Sequence, residues 1–356
     1  MARMRVLVTG VDGYIGSILG PRLIEQGMEV IGVDCGFYRD GWLYNDFGPR
    51  PLTITKDVRH MDPKDVEGFD AVVHLAELSN DPLGEFSERT TYAINHVGSV
   101  RLARTCKQAG VPRFIYASSC SVYGAAEDGG ERSEKSPTNP QTAYARCKVF
   151  VERHVGELAD SNFSPVFLRN ATAFGASPRM RFDVVLNNLA GFAWTTKEVK
   201  MVSDGTPWRP LVHVEDICQA IALALQASRE AVHGEVFNVG DDQQNYRIRE
   251  IATIVARVFD DCPVTTGRPS GDNRSYRTSF DKIHRCLPEF GCRWSAERGA
   301  RQLREVFDRV QMTKEVFFLR AFTRLEQLKH LVGSQQIDGD FFWRPLQPQA
   351  SGRYSR

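Results

Sequence analysis

Tyr144-Ala145-Arg146-Cys147-Lys148 sets a phenol and an ammonium four residues apart, so a helix through this stretch presents both on one face. A Lys cation and a nicotinamide cation beside a phenol lower its pKa. The resulting phenolate can take the proton of an alcohol while the carbinol carbon gives hydride to a dinucleotide, which makes Tyr144 a candidate general base and Lys148 its tuner. Alone, such a pair is commonly a solvated helix face. Its weight comes from the segment 116–124, Tyr-Ala-Ser-Ser-Cys-Ser-Val-Tyr-Gly, which closes a proposed strand at the edge where open parallel sheets bind ligands. Ser119 there could bond the reacting hydroxyl, or simply form a turn.

A second constellation lies near the N-terminus. Gly10, Gly13 and Gly16 recur every third residue between an apolar β-branched run, Met4–Thr9, and a helical pattern, Tyr14–Gln26. Without side chains they let the backbone approach a diphosphate at the positive end of a helix. Asp34 ends the next strand, where a carboxylate accepts hydrogen bonds from an adenosine ribose and repels a 2′-phosphate, favouring NAD over NADP. The alternative is a solvated turn residue. Asp57 and Val58 follow the third strand as secondary candidates for adenine contact, or as a strand-end turn.

The elements that must carry these residues alternate. Strands are expected at Glu29–Val33, Thr53–Thr55, Ala71–Leu75, Arg113–Ser118 and Ser164–Leu168, with helices at Ser87–Ala109 and Gln141–Leu158. This pattern predicts an α/β fold, a Rossmann-type doubly wound parallel sheet over residues 1–168. A smaller substrate lobe, partly interleaved with it, is expected over 169–310, with helices near Phe182–Thr195, Glu215–Gln226 and Arg247–Phe259 and strands near Leu211–Val214 and Glu235–Asn238. A C-terminal segment, 311–356, is read as an amphipathic helix over Met312–Leu331, for packing or oligomer contact, and a frayed tail over Gln347–Arg356.

A formal net charge of +1 over 356 residues gives no global pull toward nucleic acid or anionic membrane, so neither partner is expected. No run reaches the roughly 18 apolar residues of a membrane span, and a cytoplasmic location is expected. Eight scattered cysteines form no Cys-x-x-Cys pair, so no metal site is expected and the thiols read as reduced.

Taken in order, TGVDGYIG, VIGVD, KDVRH, VVHLAE, YAINHVGSVRLA, YASSCSVYG, YARCK, DGTPWRPLVHVEDI and FNVG resemble the extended short-chain dehydrogenases, specifically the nucleotide-sugar epimerases and dehydratases, over roughly residues 4–310. The resemblance implies Ser119, Tyr144 and Lys148 as catalytic residues. It implies NAD contacts from Gly10, Gly13, Tyr14, Ile15, Gly16, Asp34, Asp57, Val58, Leu75, Ala76, Asn95, Ser118, Tyr144 and Lys148, with Asn95 supporting the active-site helix. It also implies a nucleotide diphosphate clamp from Arg209 and Arg274, and a homodimer through helices near Thr90–Ala109 and Ala143–Leu158.

Three departures bear on the reaction. Cys120 and Ser121 stand where 4,6-dehydratases of this kind carry Asp and Glu, which removes the pair suited to water elimination. Glu77 stands where the family offers a small residue; it either faces the pocket as an acid or base, or turns toward a basic group or water. Cys120 is similarly a neutral pocket wall or a weak proton donor. In LRNATAFG, Thr172 occupies a position often held by Asn and Asn170 is displaced by two, while Arg179 and Arg181 add cations near the substrate phosphates or in a solvated loop. The favoured reading is an epimerase that oxidises a ring hydroxyl, C4 by preference, and returns hydride to the opposite face. Alternatives are a dehydratase using Glu77 or Cys120, a decarboxylase, a ketoreductase, and a non-catalytic NAD-sensing scaffold.

Overall fold

Aliphatic, β-branched runs become strands here because both faces of the sheet they build are covered. In the computed structural model, which describes residues 3–45, 48–125, 130–267 and 274–345, neighbouring residues of one strand feed opposite cores. Val73, Ile115, Val166 and Leu168 pack on one side against helices Gly16–Glu25 and Val214–Gln226. Val72, Phe114, Tyr116 and Phe167 pack on the other, against helices Ser99–Gln108 and Ala143–Gly156.

The sheet has seven parallel strands, in the order Val236–Val239, Ser164–Asn170, Arg113–Ser119, Ala71–His74, Arg5–Thr9, Glu29–Asp34 and Leu52–Thr55. This is the Rossmann-type doubly wound arrangement. The direction of winding reverses between Arg5–Thr9 and Ala71–His74, which opens a crevice beyond their carboxyl ends. The strand Val236–Val239 returns from the second half of the chain to the sheet edge. A second, three-stranded sheet orders Asn245–Arg247, Trp208–His213 and Thr172–Phe174.

Some elements differ from expectation. The helix expected over Ser87–Ala109 contains a π-helical stretch, Tyr92–Gly98, between α-helices Glu88–Thr91 and Ser99–Gln108. The amphipathic stretch from Met312 is three short helices, Lys314–Phe317, Arg320–Phe322 and Arg324–Gly333, broken at Leu319 and Thr323, both of which are extended. The breaks let Phe317 and Phe322 meet Phe182 edge-on at 4.9 and 5.7 Å, contacts that one straight helix would point apart. Helix Ala296–Arg309 was not foreseen, although Ala296, Ala300, Leu303 and Phe307 form its buried stripe at helical spacing and Ser295 caps it. The tail Gln347–Arg356 lies outside the described residues.

Candidate active site

Strand Arg5–Thr9 reaches helix Gly16–Glu25 through the glycine turn. Gly10 sits at φ +71°, and a Cβ there would lie 2.8 Å from the Ala76 nitrogen; at Gly16 it would lie 2.3 Å from the Gly10 carbonyl oxygen. The turn forms one wall of a cavity of about 700 Å³, with Gly10, Gly13, Tyr14, Ile15, Gly16, Asp34, Asp57, Val58, Leu75, Ala76 and Ser118 along it. Asp34 is fixed by the Asp12 and Gly36 N–H groups at 3.2 and 2.8 Å. Burial raises its pKa, against the pull of those bonds. Asp57 also reaches the cavity, but its carboxylate accepts from the Arg59 N–H and guanidinium at 2.8 and 2.7 Å and caps the turn Val58–His60. A cradle that a single Cβ would fill, an open helix N-terminus and an oriented carboxylate fit a dinucleotide, which these residues would hold.

Asn95 does not belong to this wall. Fully buried in the π-helical stretch, its amide holds the Leu78 N–H and C=O at 2.9 Å each, so the expected cofactor contact is corrected to a support for the segment after Glu77.

Thr142 caps helix Ala143–Gly156 by accepting from the Ala145 N–H, and the helix turns Tyr144 and Lys148 together into the cavity. The Lys148 ammonium lies 5.3 Å from the Tyr144 ring centre. Ser119 ends its strand, accepts the Ser121 N–H at 3.1 Å and favours the ionised form of Tyr144. Glu77 turns toward a basic group, Lys148 itself, and it also lines the cavity. Its carboxylate, 3% exposed, takes the Lys148 ammonium on one oxygen. The other accepts the Tyr116 and Ser99 hydroxyls at 2.6 and 3.3 Å. Lys148 donates as well to the Ala117 carbonyl.

This pairing changes the electrostatics expected of the Tyr–Lys pair. The Tyr144 pKa stands above the ordinary phenol value, not below it: burial raises it most, Lys148 and Ser119 lower it, and Glu77 and Asp81 push it up again. For Lys148, burial opposes the ammonium, but Glu77 and Tyr144 outweigh it and the pKa is raised. Behind them His74, held neutral by burial and by Lys148 with its pKa near 3, bridges the Thr9 and Ser99 hydroxyls at 2.7 and 2.8 Å.

On the opposite side the cavity reaches Ser121, Asn170, Thr172, Arg181, Arg209 and Arg274. Arg209 donates to the carbonyls of Trp208 and Arg274, and Arg274 pairs with Asp81. Arg181 grips Asp183 with two bonds at 2.8 and 3.1 Å. Two expected residues fall outside the wall. Cys120 is fully buried, its thiol directed to the Arg169 carbonyl and its pKa driven up by burial, so it is neither pocket wall nor proton donor. Arg179 is 1% exposed and stacks on Trp42 at 4.0 Å while holding the Tyr38 carbonyl, which makes it a support for that loop. Conversely, Tyr38, Asn80, Asp81, Asp183 and Arg324 line the cavity and were not foreseen. A capping Asn before Pro82 and charges two residues apart were legible; an arginine in a basic helix gave no signal.

A doubly wound sheet with a glycine-turn cavity that also receives Ser, Tyr and Lys from the fifth strand and the following helix defines a dinucleotide-dependent enzyme of the short-chain dehydrogenase type. The sequence model of the NAD-dependent epimerase/dehydratase family matches residues 6–240, and the chain belongs to that family, a family of NAD-dependent enzymes. It is 30% identical to a UDP-glucose 4-epimerase of Mycolicibacterium smegmatis over 71% of this chain and 82% of that one. It is 27% identical to UDP-glucose 4-epimerase 2 of Arabidopsis thaliana over 84% and 92%. The solved structure of MoeE5 in complex with UDP-glucuronic acid and NAD superposes with a TM-score of 0.75 at 28% identity, covering 86% of this chain and 99% of that one.

Proposed function

We propose that the protein is a nucleotide-sugar 4-epimerase acting on a UDP-sugar. The observation that carries this reading is a complete Ser119–Tyr144–Lys148 set on the cavity wall beside positions that lack an elimination pair: Cys120 faces away and Ser121 is no base. The other carboxylates of the catalytic and substrate walls are engaged, Glu77 by Lys148, Asp81 by Arg274 and Asp183 by Arg181. Bound NAD⁺ supplies a reversible hydride acceptor and a positive charge that favours the phenolate. Tyr144 takes the C4 hydroxyl proton, with Ser119 holding the same oxygen. Lys148, oriented by Glu77, stabilises the phenolate. The 4-keto sugar turns in the cavity, and Tyr144 returns the proton once the other ring face is presented. Arg209 and Arg274 bind the diphosphate of the nucleotide, and Ser121, Asn170 and Thr172 contact the sugar. The reading includes the division into a cofactor domain (1–168), a substrate lobe (169–310) and a C-terminal segment (311–356), a homodimer and a cytoplasmic setting.

Incubation with UDP-, dTDP-, GDP- and CDP-hexoses and -hexuronates, followed by mass and proton NMR analysis, tests it. A UDP-sugar should give a product of unchanged mass with inverted C4. Loss of water or carbon dioxide would replace epimerisation by dehydration or decarboxylation. No turnover of any sugar would overturn the enzyme assignment.

A further inference from the structure

Tyr38 and the helix Arg324–Gly333 bring an unmatched charge to the cofactor cavity. Arg324 is 2% exposed and lines the cavity, and its Nη1 and Nη2 have no hydrogen-bond partner among the described residues. Its guanidinium carbon lies over the Tyr38 ring, 4.0 Å from the ring centre, and the buried Tyr38 hydroxyl is likewise without a hydrogen-bond partner among the described residues. The nearby carboxylates are engaged elsewhere. Asp183 holds Arg181 and accepts from the Asn80 amide at 2.8 Å and the Arg324 backbone N–H at 3.3 Å; Asp34 holds two backbone N–H groups. Burial beside Arg181 lowers the Arg324 pKa. A buried guanidinium left this way calls for an anion with at least two acceptor oxygens.

The segment that carries Arg324 is a strap packed on elements that line the cavity. Leu328, Leu331, Ile337 and Phe341 share a core with Phe37, Leu78, Leu83 and Ile94, from the loop after the second strand and the elements after the fourth. Trp343 donates to the Cys35 carbonyl at 2.6 Å, Gln327 to the Phe37 carbonyl at 3.1 Å, and Arg59 to the Asp340 carbonyl at 2.7 Å. The strap lies beyond residues 6–240, so the family match says nothing of it.

We infer that Arg324 is a binding residue for the diphosphate bridge of the dinucleotide, brought to it by the C-terminal strap and sharing the bridge with the N–H groups of the glycine turn. The inference rests on NAD being the cofactor. A diphosphate bridge carries two negative charges, and the turn at a helix N-terminus offers only partial positive charge to meet them.

The test is calorimetric titration of wild type, Arg324→Met and Arg324→Lys with NAD⁺, ADP, adenosine, UDP and NADP⁺, together with melting curves. Arg324→Met should weaken NAD⁺ and ADP alike, by roughly 10- to 100-fold, and leave adenosine and UDP unchanged, with Arg324→Lys recovering part of the loss. Without nucleotide, Arg324→Met should melt no lower than wild type, because no side-chain hydrogen bond to the described residues is lost and Met can keep the contact with the Tyr38 ring, and NAD⁺ should raise its Tm less. A lower Tm without nucleotide and unaltered NAD⁺ binding would make the arginine structural and overturn the inference. A loss confined to UDP, or to NADP⁺, would move it to the substrate diphosphate or to a 2′-phosphate, overturning it as well. Wild type that binds no NAD⁺ would overturn the cofactor assignment together with it.

Discussion

Lys148 and Arg324 are two cations in one cavity, 4% and 2% exposed, yet their surroundings are opposite. The chain meets the charge of Lys148 itself, with Glu77, the Ala117 carbonyl and the Tyr116 ring face 4.6 Å away. Among the described residues nothing hydrogen-bonds the terminal nitrogens of Arg324. Equal burial therefore does not mean equal function. A matched charge holds a geometry before any ligand arrives, whereas an unmatched one is a demand placed on the ligand. The same division runs around the cavity: Glu77, Tyr116, Ser99 and His74 form a hydrogen-bonded network beside helix Ala143–Gly156, while Ser121 and Asn170 on the opposite side keep buried oxygens without hydrogen-bond partners among the described residues.

The largest effect expected is at Tyr144. Tyr144→Phe removes the proposed general base, and kcat should fall by roughly 10²- to 10⁴-fold with NAD⁺ affinity unchanged. Steady-state rates with calorimetric titration check this. A variant within a few-fold of wild type would mean that the matched wall is scaffolding.

Glu77 offers a direct way to break the comparison, because removing it makes Lys148 an unmatched cation too. Glu77→Ala should cost about 3–5 kcal/mol in stability, read from urea denaturation, since it strands a buried ammonium. Glu77→Gln keeps the shape and is expected to fold, and its signature is in the pH profile. Glu77 raises both the Tyr144 and the Lys148 pKa, so losing its charge lets Tyr144 ionise at lower pH and Lys148 lose its proton at lower pH. Asp81, Ser119 and neutral His74 remain in place. Both limbs of the kcat profile should therefore move toward acid. Unmoved limbs would reduce Glu77 to a packing residue.

Arg209→Gln probes the substrate side. It should raise KM for the nucleotide sugar by roughly 10- to 100-fold with kcat nearly constant, the result of losing a charged hydrogen bond present equally in ground and transition states. A fall in kcat with KM unchanged would place Arg209 with the catalytic wall instead.

What was legible in the sequence follows from distance along the chain. The glycine turn, Asp34 at a strand end, and Tyr144 with Lys148 one helical turn apart each carry their meaning within a few residues, and the structure gathers them on one cavity. The Glu77–Lys148 pair joins residues 71 apart, and nothing local in HLAE says which cation will be met. Cys120 and Ser121 are neighbours, yet the 3₁₀ turn Cys120–Tyr123 sends one into the core and leaves the other on the cavity wall. Arg324 was hidden for a further reason. Its helix reads as a packing helix, and it does pack; the residue it lends to the cavity is its first, which follows the break at Thr323.

The smallest expected effect separates the two kinds of wall most cleanly. The Ser121 hydroxyl is buried in the cavity with no hydrogen-bond partner among the described residues, so Ser121→Ala removes no protein contact from it and should leave Tm unchanged or slightly raised. Tyr116, fully buried behind the matched wall, behaves oppositely, since Tyr116→Phe breaks a 2.6 Å bond to Glu77 and should lower Tm. If Ser121 meets the sugar, Ser121→Ala should raise KM several-fold with no cost in stability. Thermal melts and KM measured on the two variants side by side decide it: a drop in Tm for Ser121→Ala, or a KM effect shared equally by both, would erase the distinction between groups the fold satisfies and groups it leaves for the substrate.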